Sequence, residues 1–442
     1  MNHENKMGTK KMFPLIISMA LPPMISMFIQ SLYNIVDSIF VARLSEAALS
    51  AVSIIYPLQN LTLSIAVGAG VGLNSYMARS FGAGNKKKGY EACITGFFLT
   101  GIHYIVIALI GIIAIHPFVH FFTRDSNVVQ LCYDYGYIVM IFCFGQLFHI
   151  TIEKIFQATG KMLIPMMLQA AGCIINIVLD PILIFGLCGM PALGVKGAAI
   201  ATVMGQMTSC IAGAILFAKG KSGIHLEVKK ISLEPVIVKQ IYAVAIPSTL
   251  IMALPSVLVA GLNGILIRFS TLAVSVFGIY YKLQTFVYMP ATGLVQGIRP
   301  VIAYNYGAGN KKREVEAIKI AIIIVGTLMT VGTILFWCLP VPIMDIFEAS
   351  SEMKEIGVIA LRIISIGFLP STIGNITAAV FESKGKGTKS LQITLLRQLV
   401  IILPCAYLFS KVIGLYGVWI AFPIAEILAA LFSGIILMKE IY

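Results

Sequence analysis

Two aspartates of this 442-residue chain lie where a carboxylate is expensive. Asp37 and Asp180 each sit inside a long apolar run. An acid near the centre of a membrane helix costs about 2.5–3.5 kcal/mol on insertion scales, so one kept there is a default candidate for binding or moving charge. Asn176 precedes Asp180 by one helical turn and shares its face. Thr202 enters the next apolar run about two turns deep. With successive runs crossing in alternating directions, all four residues fall in the outer half of the N-terminal part. Two carboxylates close together in a low dielectric keep at least one proton near neutral pH. That suits a proton carrier whose charge state biases a bistable helix, with Pro22-Pro23 as the weak point of the first run. Plainer readings exist: Asp180 could cap backbone freed by Pro181, and Asp37 could be interfacial.

The C-terminal part carries a different set. Lys282, Arg397 and Glu426 count to near mid-membrane, and Glu426 is expected to neutralise Lys282 or Arg397 in a polar cluster. Candidate lining residues are soft or aromatic: Met24, Met27, Gln30, Tyr33 and Asn34 on span one, and Tyr280, Tyr281, Gln284, Tyr288 and Met289 on span eight. Such faces suit varied lipophilic cations, though they also suit packing. His103 and His149 stand isolated in the sequence and read as packed, neutral rings.

The elements that must hold these residues are membrane helices. Hydrophobic residues make up 58% of the chain and charged residues 12%, against about 25% charged in a soluble domain. That excludes a soluble globular, disordered or nucleic-acid-binding protein. Twelve apolar segments reach the about 20 residues a span needs: 13–40, 48–78, 89–115, 128–152, 162–187, 194–218, 236–264, 271–303, 315–340, 354–380, 389–411 and 415–438. The fold class is all-α integral membrane. Lys6, Lys10 and Lys11 resemble the start of a signal peptide, but no small-residue cleavage site follows, and the first run reads as a span. Of the 32 Lys and Arg residues, 24 fall on one side, seven on the other, and Lys282 mid-span. The basic excess therefore orients the chain, with both termini cytoplasmic. The eight cysteines are scattered without a CxxC pair and read as packing residues, not a disulfide frame or metal site.

The chain is also a duplication. Phe81-Gly82-Ala83-Gly84-Asn85-Lys86-Lys87 returns as Tyr306-Gly307-Ala308-Gly309-Asn310-Lys311-Lys312, at an offset of 225. The same offset pairs Pro22 with Pro247, Arg43 with Arg268, Gly68 with Gly293, Gly72 with Gly297, and Phe156…Gly160 with Phe381…Gly385. Near the end of each half it slips to 220, pairing Gly194 with Gly414 and Gln206 with Glu426. Each half holds an even number of spans, so the repeats are parallel, as in transporters whose lobes rock about a site. The expected parts are an N-terminal six-helix lobe at 1–218, a cytoplasmic linker at 219–239 and a C-terminal six-helix lobe at 240–442. The Gly-Asn-Lys element reads as a tight turn; no apolar strand precedes it as in a phosphate loop.

Asn176-Ile-Val-Leu-Asp180-Pro181-Ile-Leu-Ile-Phe-Gly186, Gln296-Gly297-Ile-Arg-Pro300-Val-Ile-Ala-Tyr304-Asn305-Tyr306-Gly307 and Gly194-Val-Lys-Gly197-Ala-Ala together resemble the MATE (multidrug and toxic compound extrusion) transporters, closest to the DinF-like branch. The likeness covers nearly the whole chain. It implies twelve helices in two lobes and efflux of organic cations against inward H+ or Na+; the paired carboxylates lean towards H+, and no other cofactor is expected. It also implies that Asp37, Asn176 and Asp180 form the N-lobe cation site, with Thr202 a looser match. Spans seven and ten lack the acids of a second, C-lobe site, except Glu382 at an inner end. The function expected is a non-enzymatic antiporter in the plasma membrane, exporting small organic cations, with a monomer sufficient. The alternative is a flippase for lipid-linked oligosaccharides, towards which Lys282 and Arg397 lean and Asp37 and Asp180 do not. A membrane enzyme would want an HExxH, GxSxG or paired-Asp motif, and none is present.

Overall fold

The computed structural model describes residues 5–224 and 234–441; residues 225–233 of the expected linker lie outside them. A one-turn helix at Lys6–Thr9 leads into α1 (Met12–Leu44), α2 (Glu46–Gly82), α3 (Lys86–Phe122), α4 (Ser126–Ile141), α5 (Phe144–Ala158), α6 (Leu163–Phe185) and α7 (Val195–Ala218). The second half holds α8 (Pro235–Leu266), α9 (Thr271–Gly307), α10 (Lys311–Cys338), α11 (Ser351–Ser365), α12 (Phe368–Ser383), α13 (Gly387–Ile413) and α14 (Leu415–Ile441).

Nine of these helices are long and apolar enough to cross a membrane alone, among the described residues. Two further crossings are bent pairs: α4 with α5 at 41°, and α11 with α12 at 48°. The sequence pattern reads each as one straight span, because hydropathy does not register a bend; no proline stands at the first break, and Pro370 falls in the first turn after the second. The remaining rod is α9. Its 37 residues rise about 55 Å, and it covers the 271–303 segment read from the sequence, although Lys282, Gln284, Gln296 and Arg299 leave it less apolar than the other nine. Among the described residues the fold is all-helical, and the nine helices, the two bent pairs and α9 together make twelve spans in two six-helix repeats.

The internal repeat is reproduced in local geometry. Ser45 Oγ accepts from Ala48 N at 3.0 Å, and Ser270 Oγ accepts from Ala273 N at 3.0 Å. Asn85 and Asn310 cap α3 and α10 through Lys88 N and Arg313 N. The turns before these caps need a left-handed residue, supplied by Gly84 at φ 73° and Gly309 at φ 66°.

Two compact units emerge: one holds residues 25–249, the other residues 1–24 and 250–442. Both divisions fall inside a helix, and they too are 225 residues apart. The first half of α8 belongs with the 25–249 unit, held where α2 bares its backbone: a Cβ on Gly68 or Gly72 would come within 2.8 Å of Ala245 O or 2.4 Å of Ile241 O. In the other unit the first half of α1 lies against α9 in the same way. A Cβ on Gly293 would stand 2.6 Å from Met24 Cα, and one on Gly297 2.5 Å from Ala20 Cα. Pro22 and Pro247 stand just before the two division points.

A candidate cation site

The site builds up from the ends of three helices in the 25–249 unit. α1 carries Asp37 and Tyr33 in its second half, α6 carries Asn176 and Asp180 one turn apart, and α7 offers Thr202 two turns from its start. α6 stays helical through Pro181 and stops at Gly186, whose φ of 76° ends the helix. Tight packing of α6 on α7 is permitted by Gly172 and Gly205, where a Cβ would meet Gly205 O at 2.7 Å and Gly172 O at 2.6 Å. That approach brings Asn176 Nδ2 to Thr202 Oγ1 at 3.4 Å.

The four residues expected from sequence therefore converge. Asp180, Asn176 and Thr202 are 0, 2 and 5% exposed. The Asp37 and Asp180 side chains lie within hydrogen-bonding reach of each other. Tyr33 hydrogen-bonds Thr202. Two members were not foreseen: Tyr135 of α4, fully buried beside Asp37 and Thr202, and Gln59 of α2, whose Nε2 donates to Tyr135 Oη at 3.3 Å. No Lys or Arg pairs with either aspartate among the described residues, and neither Asp180 oxygen has a hydrogen-bond donor there. Two acceptors side by side can bond only if a proton or another cation sits between them. In the second repeat the offset places Leu262, fully buried, where Asp37 stands, so the duplicated position has lost its charge.

Of the C-terminal polar set, two of the three residues come together. Glu426 Oε1 faces Arg397 Nε at 3.6 Å, and Arg397 Nη1 donates to Asn375 Oδ1 at 2.7 Å. Arg397 rides on a π-type turn at Leu396–Ile401, a distortion that often marks functional positions. Lys282 is exposed on α9 and makes no ion pair among the described residues, so Arg397 alone is the partner of Glu426. Nearby, Tyr288 Oη donates to Ser371 Oγ at 2.8 Å, and Gln284 hydrogen-bonds Tyr288. At the inner end, Arg299 Nη2 meets Glu382 Oε2 at 2.7 Å. Of the lining candidates, Met27, Gln30, Tyr33 and Asn34 belong to the 25–249 unit, and Tyr281, Gln284 and Met289 to the other; all but Asn34 are half-buried.

The MatE family profile matches residues 22–182 and again 247–408, the same 225-residue step. The chain belongs to the MatE family. Among curated relatives, multidrug export protein MepA of Staphylococcus aureus (strain MSSA476) is 26% identical over 424 residues, covering 95% of this chain and 92% of its own. An FAD transporter of Shewanella oneidensis is 25% identical over 419 residues, covering 93% and 91%. A crystal structure of a MATE protein in complex with MaL6 superposes with a TM-score of 0.92 at 26% identity, covering 100% of this chain and 99% of its own. The fold, the duplication and the family thus agree that this MatE protein is a membrane transporter.

Proposed function

We propose that this MatE protein is a secondary antiporter that exports organic cations in exchange for protons, working as a monomer in the plasma membrane with both termini cytoplasmic. One observation carries the reading: two buried carboxyl groups side by side, with no basic residue to neutralise them among the described residues. Such a pair holds a proton, or a cation that displaces it, and its net charge changes with occupancy. The multidrug export name of the Staphylococcus relative supports the substrate class. The FAD name of the Shewanella relative favours an anion instead. Against an anion, Arg397 is already engaged by Glu426 and Asn375, while the two aspartates have no basic partner among the described residues.

The test is transport of ethidium in proteoliposomes under an imposed pH gradient or Na+ gradient, with Asp37→Asn and Asp180→Asn alongside wild type. Ethidium movement driven by ΔpH and lost in both variants supports the reading. Drive by Na+ alone would change the coupling ion. Drive retained in both variants would remove the aspartates from coupling.

A further inference from the structure

The 25–249 unit holds a second buried polar system that cation exchange at the aspartates does not use. Gln169, Cys173, Asn176 and Asp180 follow one another along a single face of α6, at steps of four, three and four residues. They cover about 16 Å of helix. Gln169 Nε2 donates to Cys173 Sγ at 3.6 Å, and Gln169 Oε1 lies 3.1 Å from His149 Nε2. On α5, His149, Glu153 and Gln157 succeed each other at one-turn steps. Gln157 Nε2 donates to Glu153 Oε1 at 2.7 Å, and Lys154 Nζ donates to the same oxygen at 2.8 Å and to Gln157 Oε1 at 3.2 Å. One residue beyond Gln157, α5 ends in the Gly160 turn. Asn74 of α2, near the Gly84 turn, donates to Lys154 O at 3.0 Å, so both turns lie at the same end of the unit.

Polar groups therefore run from the aspartate pair to the end that the positive-inside count assigns to the cytoplasm. His149, Lys154 and Gln157 are no more than 5% exposed. Burying such groups in an apolar bundle is unfavourable unless each is paired. Yet His149 Nδ1 and Asn176 Oδ1 have no hydrogen-bond partner among the described residues, and buried polar atoms of this kind are where proteins retain bound water. The charged groups facing His149 are Glu153 and Lys154 on its own helix; α6 contributes Gln169 and α7 the backbone of Ser209.

We propose that this ladder is the inner proton path, carrying the proton released by Asp37 and Asp180 to the cytoplasm through His149 and Glu153. The idea rests on the proton-coupled reading above. The step uses the tautomer in which Nε2–H donates to Gln169 Oε1 and Nδ1 is left to accept. An O–H bond of the aspartate pair breaks, water carries the proton, and an N–H bond forms at His149 Nδ1. The imidazolium then gives that proton up towards Glu153 and the water beyond Gln157, and the pair regains its negative charge. No hydrogen bond joins Asn176 to Cys173 among the described residues, and this one-turn gap interrupts the path against leak.

The experiment reconstitutes wild type, His149→Gln and Glu153→Gln in liposomes and measures two rates in each. One is ethidium transport driven by ΔpH. The other is ethidium exchange at zero gradient, which moves no net proton. The expected result is a fall of about tenfold or more in the driven rate with exchange unchanged in both variants. Driven rates equal to wild type would overturn the path. Driven and exchange rates falling together would also overturn it, marking a structural role. A wild type indifferent to ΔpH but active in exchange would instead remove the proton-coupled reading itself.

Discussion

Arg299 and Glu382 occupy, by the 225-residue offset, the positions that Asn74 and Gln157 hold in the first repeat. One repeat has a buried ion pair where the other has neutral amides. Glu382→Gln would leave the guanidinium uncompensated, and Arg299→Asn would strand the carboxylate. Breaking a buried pair costs about 3–5 kcal/mol. The Arg299 side chain keeps 23% of its exposure and Glu382 only 4%. Water therefore relieves part of the first loss, so Glu382→Gln is expected at about 2–3 kcal/mol and Arg299→Asn at the full 3–5 kcal/mol. The double variant copies the first repeat, leaves no stranded charge, and should cost about 1 kcal/mol. The assay is the melting midpoint of purified protein in detergent. At roughly 2 °C per kcal/mol for a large chain, the single variants should melt about 4–10 °C low and the double variant within about 2 °C of wild type. A double variant that melts as low as the sum of the singles would refute the pairing argument.

Three further outcomes are expected. Gly72→Ala and Gly297→Ala each drive a Cβ against backbone, so each should destabilise by about 1–3 kcal/mol in the same melt. Gly264→Ala, where nothing lies within 4 Å, should be neutral or stabilising; equal losses at all three would show that helix approach is not the cause. Thr202→Val removes the acceptor of buried Asn176 and should lower stability by about 1–3 kcal/mol, with ΔpH-driven ethidium transport reduced alongside; an unchanged melt would make that contact dispensable. Cys188 and Cys338 are the two exposed cysteines among the described residues, and both sit at span ends that the positive-inside count places outside. A membrane-impermeant maleimide should label both in intact cells, and labelling confined to inverted vesicles would reverse the orientation.

Asp37, Asn176, Asp180 and Thr202 are legible in the sequence because polar groups at membrane depth are rare and spaced by helical turns. Tyr135 and Gln59 are not, since an amphipathic ring or a single amide in an apolar run reads as packing. Lys154 counts as a loop charge at the end of a span, yet α5 runs on to Ala158 and buries it. That hides the company His149 keeps, because the sequence shows separation along the chain and not the neighbour across the bundle. The sequence offers Glu426 two basic partners. Choosing Arg397 over Lys282 needs the π-type turn, which no residue pattern announces. The breaks within the α4–α5 and α11–α12 spans are invisible for a related reason: apolar composition continues through them.

The crossed helix halves also govern how the molecule can be made. As the first six spans emerge, the backbone bared at Gly68 and Gly72 has no occupant, because the first half of α8 has not been synthesised. The first half of α1 waits in turn for α9. The 25–249 unit cannot close before residue 249 is made, and the other cannot close before α9, so the nascent chain must hold one open groove and one unpartnered half-helix in the membrane during synthesis. A gene cut at the linker would yield two fragments that are each incomplete, and each would acquire its missing half-helix only from the other.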